Sequence, residues 1–289
     1  MGAGLRRFRV GEVDLVTSYP AHATPPFAAG SVLVPWPNRV EDGLWSLDAE
    51  PQQLDITEPD RHHAIHGLLR FSPYSVEAQT ESAITLAATI FPQHGYRFLV
   101  DTTVRYELVD DELRVTHSLT NATETRAPVA MGAHPYLQIG GVSTDDLVLK
   151  LAASTRFSVT DRLMPVTEEP VDGTIFDLRG GVPVEQLELD DVFGGISRSA
   201  GDSSHSLTAP DGRSVALWAD SSFGFVQVFV TRVFPCDDGV TTAIAIEPMT
   251  APANAFNTGI GLRWLEPGET WTLSWGIRHT DHLSTFSNA

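Results

Sequence analysis

Five stretches of this chain place polar, chemistry-capable side chains in constrained surroundings. Glu247 follows a run of alternating Ala and Ile, 243–246, and precedes Pro248. Small and apolar residues on both faces of that run read as a central strand, and Pro248, lacking an N–H, reads as the point where its ladder stops. A carboxylate held at the mouth of an apolar core is well placed for a raised pKa and for base chemistry. A solvated Glu at a strand end fits this stretch equally well. His134 lies between Gly132-Ala133, which permits close approach, and Pro135-Tyr136, which restricts the backbone. An imidazole there can donate and recover a proton near neutral pH.

The other stretches read as binding residues. Asn38-Arg39 follows Pro35-Trp36-Pro37, so forked donors are presented where a rigid, irregular loop ends, unless this is a surface loop with one exposed Arg. His62, His63 and His66 cluster in sequence and invite a metal reading. No partner group has zinc spacing and the single Cys236 is remote, so no metal is expected. His66 before Gly67 instead fits a ring on a tight turn facing a cleft, able to hydrogen-bond a hydroxyl. Asp190-Asp191 ahead of Val192-Phe193 would bind a cation, cap a turn or accept from a polyol. Asn254 and Asn257 are further amide candidates beyond Glu247.

The elements that must position these residues are strands. Residues 104–108 and 113–119, joined through Asp110-Asp111, pattern as one hairpin, and 206–209 with 214–219 as another around Pro210-Asp211-Gly212. Residues 270–278 alternate so that Trp271, Leu273, Trp275 and Ile277 share a buried face. Helical periodicity is nearly absent, with a turn or two around 184–189 as the best candidate. Many short strands and few short helices predict an all-β, large antiparallel sandwich or barrel-like fold. Residues 202–206 are the most linker-like, but strand patterns flank them, so one domain over 1–289 is expected.

Composition narrows the function classes. The 289 residues are 42% hydrophobic, with 37 acidic against 19 basic side chains and a formal net charge of -18. That balance argues against nucleic acid or an anionic membrane as partner. One cysteine precludes an internal disulfide, no signal-like or membrane-length apolar run appears, and a cytoplasmic location is expected.

Asn38-Arg39, His66-Gly67, Gly132-Ala133-His134-Pro135-Tyr136, Leu189-Asp190 and Glu247-Pro248, in that order, resemble the aldose 1-epimerase (galactose mutarotase) family. The resemblance runs from about residue 9 to 280, and the phrase from Glu247 to Asn257 resembles one bacterial branch closely. It implies a sugar cleft on a large antiparallel β-sandwich of the galactose mutarotase type, a small-molecule hexose substrate, no cofactor, and a monomer or homodimer. It matches Glu247 to a general base and His134 to a general acid. His66 and Arg39, with Asn38 beside it, match contacts to the ring oxygen and hydroxyls, and Asp190 matches a carboxylate holding hydroxyls. Relatives often carry His after that Asp, where this chain has Asp191. They often carry Pro where it has Arg97, leaving Asp190 against Asp191 and the substrate edge open. A phosphorylated or sulfonated hexose would require Arg39, Arg70 and Arg97 to converge. For the acid–base assignment, Glu247 must be ionised while His134 is protonated, so both pKa values are expected around or below neutrality. A glycosidase built on Asp190 or Asp191 with Glu247, and a sugar-binding module without catalysis, are the competing readings.

Overall fold

A computed structural model describes residues 1–237 and 239–281. Two large antiparallel sheets face each other. The nine-stranded sheet runs, in spatial order, Val182–Pro183, Val148–Lys150, Ser203–Thr208, Ser214–Ala219, Thr270–Thr280, Glu112–Asn121, Val100–Val109, Ala83–Ile90 and Ser75–Gln79. The eight-stranded sheet runs Pro165–Pro170, Thr155–Val159, Asp190–Gly194, Phe225–Cys236, Gly239–Met249, Gly132–Ala133 and Val32–Leu33, with Tyr136–Leu137 also paired to Gly239–Met249.

Alternation explains why these segments form this sandwich. In Thr270–Thr280, Trp271, Leu273, Trp275 and Ile277 are buried, while Thr270 and Ser274 pair across the outer face with Thr120 at 2.9 Å and Thr116 at 3.0 Å. Val104, Val115 and Leu119 from the nine-stranded sheet meet Val226, Val228, Ile244 and Ile246 from the eight-stranded one in the main core. Both expected hairpins form, with Val109 opposite Glu112 and Thr208 opposite Ser214.

Gly239–Met249 is central, and from Ala243 onward it is buried on both faces. Ile244 and Ile246 enter the main core, whereas Ala243 and Ala245 join a second cluster with Tyr19, Ala29, Tyr136 and Phe234 on the far side. Glu247 shares the parity of Ala243 and Ala245, so it points away from the inter-sheet core. Pro248 does not end this strand, contrary to the sequence reading: the ladder continues to Met249. The Ile246 and Thr250 N–H groups both point toward the 131–135 segment, to Pro135 O and Met131 O. The absent N–H of Pro248 therefore faces the gap between Gly132–Ala133 and Tyr136–Leu137, where no ladder bond is needed.

The turn expected around 184–189 is present as the 3-10 turn Val184–Gln186. Two other expectations change. Residues 203–206 are strand, not linker, with His205 buried. The α-helix Ala255–Thr258 was not anticipated; its Phe256 packs on Trp36 and Trp45, with ring centroids 5.4 and 4.9 Å apart. No helix among the described residues is long and apolar enough to cross a membrane.

Candidate active site

The backbone gathers the five stretches by two devices. Arg39–Glu41 pairs with His63–Ile65, Arg39 opposite Ile65, and His66 N–H donates to Asn38 O at 2.9 Å. Asn38, Arg39 and His66 are therefore carried on one short ladder. His66 has φ +63° and Gly67 φ +70°; a Cβ on Gly67 would lie 2.0 Å from Val34 O, so only glycine fits there. The second device is the eight-stranded sheet. Asp190 lies opposite Phe229 and Gln227 opposite Glu247, which puts the three polar residues on one face of neighbouring strands. His134 sits at the break between Gly132–Ala133 and Tyr136–Leu137. Its N–H donates to Ser31 O at 3.1 Å, and its carbonyl accepts Gly30 N–H at 2.8 Å. Gly132 admits the loop above it, since a Cβ would meet Pro37 Cβ at 2.9 Å.

These residues line one cavity of about 360 Å³, toward the small end of ligand pockets. Asn38, Arg39, His66, His134, Asp190 and Glu247 all line it, and all but Asp190 are buried. Its deepest feature is the pair His134 Nε2–Glu247 Oε1, 3.3 Å apart. The His134 ring stacks on Tyr136 and meets His66 edge-on, with centroids 5.2 and 5.4 Å away. His134 Nδ1 and Glu247 Oε2 are buried with no protein partner, leaving one polar valence on each side of the pair.

Burial governs the electrostatics. It pulls the His134 imidazole down to about 3. It pushes Glu247 well above the usual carboxylate range, with Asp190 adding to the rise and Arg39 opposing it. Both shifts oppose the expected state with Glu247 ionised and His134 protonated: desolvation outweighs the attraction of opposite charges, and a proton on the pair favours Glu247 over His134. His66 is also held well below its ordinary value by burial and by the neighbouring His134, Arg39 and Arg70. Its Nδ1 accepts the Asn38 N–H at 3.3 Å, so the neutral ring carries its proton on Nε2, a free donor.

Arg39 is not the exposed arginine of the bland reading. Its Nε and Nη2 donate to both oxygens of Glu58, at 2.8 and 2.9 Å, and Nη2 lies 3.8 Å from Asp190 Oδ2. Asn38 Oδ1 accepts the Arg39 N–H at 2.9 Å and its Nδ2 donates to Gln227 Oε1 at 3.2 Å. Gln227 Nε2 donates in turn to Asp190 Oδ1 at 2.6 Å. Asp190, not Asp191, faces the cavity: Asp191 accepts Arg156 Nε at 2.6 Å on the other face.

Several candidates lie elsewhere. Asn254 and Asn257 do not line the cavity. Asn254 donates its N–H to Arg39 O at 2.6 Å and accepts the Glu41 N–H at 3.1 Å, tying the short helix to the Arg39 strand. His63 is buried, accepting Asp42 N–H and donating to Arg162 O, while His62 is exposed beside Asp42. Arg39 and Arg70 line the cavity together with Arg61, whereas Arg97 pairs with Asp48 outside it. Trp36 and Trp45 are core residues. Glu58 and Gln227 were missed. Gln227 left a trace, as the one polar residue in the run 225–230, but Glu58 lies in a polar loop that marks none of its residues.

A family model described as aldose 1-epimerase matches residues 1–278. The uncharacterized protein YihR of Escherichia coli (strain K12) is 31% identical over 280 residues, covering 96% of this chain and 87% of that protein. A GalM/aldose epimerase homologue from C. elegans shares the fold with a TM-score of 0.83 at 18% identity, covering 96% of this chain and 93% of that one. Galactose 1-epimerase from Lactobacillus acidophilus NCFM does so with a TM-score of 0.79 at 18% identity, covering 96% and 89%. At that identity these two likenesses speak to the fold, which is the galactose mutarotase-like one.

Proposed function

The chain belongs to the aldose 1-epimerase family, and from that premise we propose that it interconverts the α and β anomers of a hexose by opening and reclosing the sugar ring. The observation that carries this reading is the His134–Glu247 contact, an imidazole and a carboxyl 3.3 Å apart and both buried in a sugar-sized cavity. Glu247 takes the proton of the C1 hydroxyl as the C1 carbonyl forms. The bond from C1 to the ring oxygen breaks, and His134 gives that oxygen its proton. Rotation about C1–C2 presents the other carbonyl face. The C5 hydroxyl then adds to C1, His134 recovers its proton, and Glu247 returns the other to the C1 oxygen. Protons balance over the cycle, and each positioned group contributes about 10²–10⁴-fold.

The preference of the proton for Glu247 over His134 has a place in this cycle. Glu247 protonated with His134 neutral is the state the pair reaches when the open-chain aldehyde is held. Ring opening requires the proton on His134 and an ionised Glu247, and the 3.3 Å contact is the path by which it passes between them. His66 Nε2–H and the Arg39 guanidinium donate to the ring oxygen and hydroxyls, and Asp190 Oδ2 accepts from a hydroxyl. Asn38 keeps one amide N–H for the sugar after bracing Arg39 and Gln227. Neither a silent sugar-binding site nor a two-carboxylate glycosidase has a task for His134 beside Glu247.

Anomeric exchange by proton NMR, over a panel of neutral and anionic hexoses at equilibrium, tests the reading and identifies the sugar. Enhanced exchange for at least one hexose supports it. Binding of a hexose without enhanced exchange contradicts it.

A further inference from the structure

Glu58 is the half-buried carboxylate of the cavity wall that the cycle above does not use. Its Oε2 accepts Arg39 Nε at 2.8 Å, and its Oε1 accepts Arg39 Nη2 at 2.9 Å and Arg61 Nη1 at 3.2 Å. The backbone fixes it in place: Glu58 N–H donates to His63 O and His63 N–H to Glu58 O, at 2.9 and 3.2 Å. Thr57 Oγ1 accepts the Ile65 N–H at 2.9 Å. The Glu58 segment is thus bound to the strand that pairs with Arg39, which makes the ion pair a preformed clamp. Such bidentate pairs fix a guanidinium in both position and plane.

We infer that Glu58 is a positioning residue for the proposed epimerase reaction, setting the pose of Arg39 and cancelling its charge toward Glu247. Two consequences follow. With Nε and Nη2 occupied, Nη1 remains, 3.4 Å from Asn38 Oδ1, as the less committed part of the guanidinium. The second is electrostatic. The charged groups around Glu58 are Arg39, Arg61, His63 and the carboxylate of Asp190, with Arg70 beyond them. Those around Glu247 are His134, Asp190 and Arg39. Arg39 is the cation common to both sets, so removing the Glu58 charge leaves it free to favour ionised Glu247.

The inference rests on the epimerase reading, and a measurement without substrate separates the two. The full chain labelled with ¹³C at glutamate carboxyls is titrated by NMR without sugar, with the Glu247 resonance assigned through Glu247→Gln. In Glu58→Gln the Glu247 midpoint moves to lower pH, and with a turned-over hexose KM rises on the order of tenfold, the worth of one charge-assisted hydrogen bond, while kcat changes less. Glu58→Asp, which keeps the charge but shortens the reach, retains the midpoint and raises KM. It also carries the test should Glu58→Gln not fold. An unmoved midpoint in Glu58→Gln, or a wild-type KM in Glu58→Asp, overturns the inference. If the wild-type chain accelerates no anomer exchange, the epimerase reading fails by itself and the titration still decides the role of Glu58.

Discussion

At the scale of residues, the account turns on one proton shared by two buried groups. His134 is lowered to about 3 and Glu247 is raised, so the one-proton pair spans the interval between them. Coupled groups titrate as a pair, and kcat/KM follows the free enzyme. The expected profile is therefore flat through mildly acidic pH and falls as pH rises through the raised Glu247 value, when the pair loses its last proton. A kcat/KM profile whose alkaline fall persists unchanged in Glu247→Gln would oppose this. Asp190→Asn should raise KM more than it lowers kcat, because Asp190 holds hydroxyls while Gln227 keeps its place; steady-state kinetics reads the split. Glu247, His134, His66 and Asp190 were legible because each sits beside a Pro, Gly or apolar run that restrains it. Glu58 and Gln227 were not, because what makes them matter is a partner brought by pairing register: Arg39 for one, Asn38 and Asp190 for the other.

At the scale of elements, the site depends on a few backbone constraints. Gly67 is the sharpest, with φ +70° and a prospective Cβ 2.0 Å from a carbonyl oxygen. Gly67→Ala should destabilise the chain by more than about 2 kcal/mol, since strained φ and backbone overlap combine. The check is a denaturant midpoint alongside activity per folded molecule, and a midpoint equal to wild type would contradict the reading. The hairpins and the two-tryptophan strand were legible because alternation and turn residues are local signals. The passage of the Glu247 strand through Pro248 was not, since it depends on where a neighbouring strand happens to break. The short helix also escaped: Asn254 stands at its N-cap position with φ +64° but makes no side-chain cap bond, its N–H and Oδ1 reaching the Arg39 strand and Oδ1 also accepting from Asn257, so these residues looked like ligands.

At the scale of the whole molecule, the same burial that tunes the site makes the fold acid-sensitive. His117, His134 and His205 are buried and lowered to about 3, 3 and 4. Unfolded, each binds a proton below about 6.5. The unfolded state thus holds more protons at mildly acidic pH, and stability complete above that value is lost as pH falls toward 3–4. Glu247 and Asp190 have the opposite sign, their protonated forms favouring the fold at low pH, but these two carboxyls stand against five imidazoles once His63 and His66, also lowered by burial, are included. His117 accepts the Trp275 Nε1–H at 3.0 Å, so His117→Gln should keep the bond and flatten the fall in melting temperature between pH 6.5 and 4. A melting curve as pH-dependent as wild type would count against His117 as a contributor.

The most direct test of the central claim is polarimetry of a freshly dissolved pure anomer, with α-D-glucose and α-D-galactose first and any hexose that exchanges by NMR next. The account predicts acceleration above the spontaneous rate by the wild-type chain and a loss of about 10²–10⁴-fold in kcat in Glu247→Gln and His134→Ala. Near-normal turnover by a folded Glu247→Gln protein would contradict it.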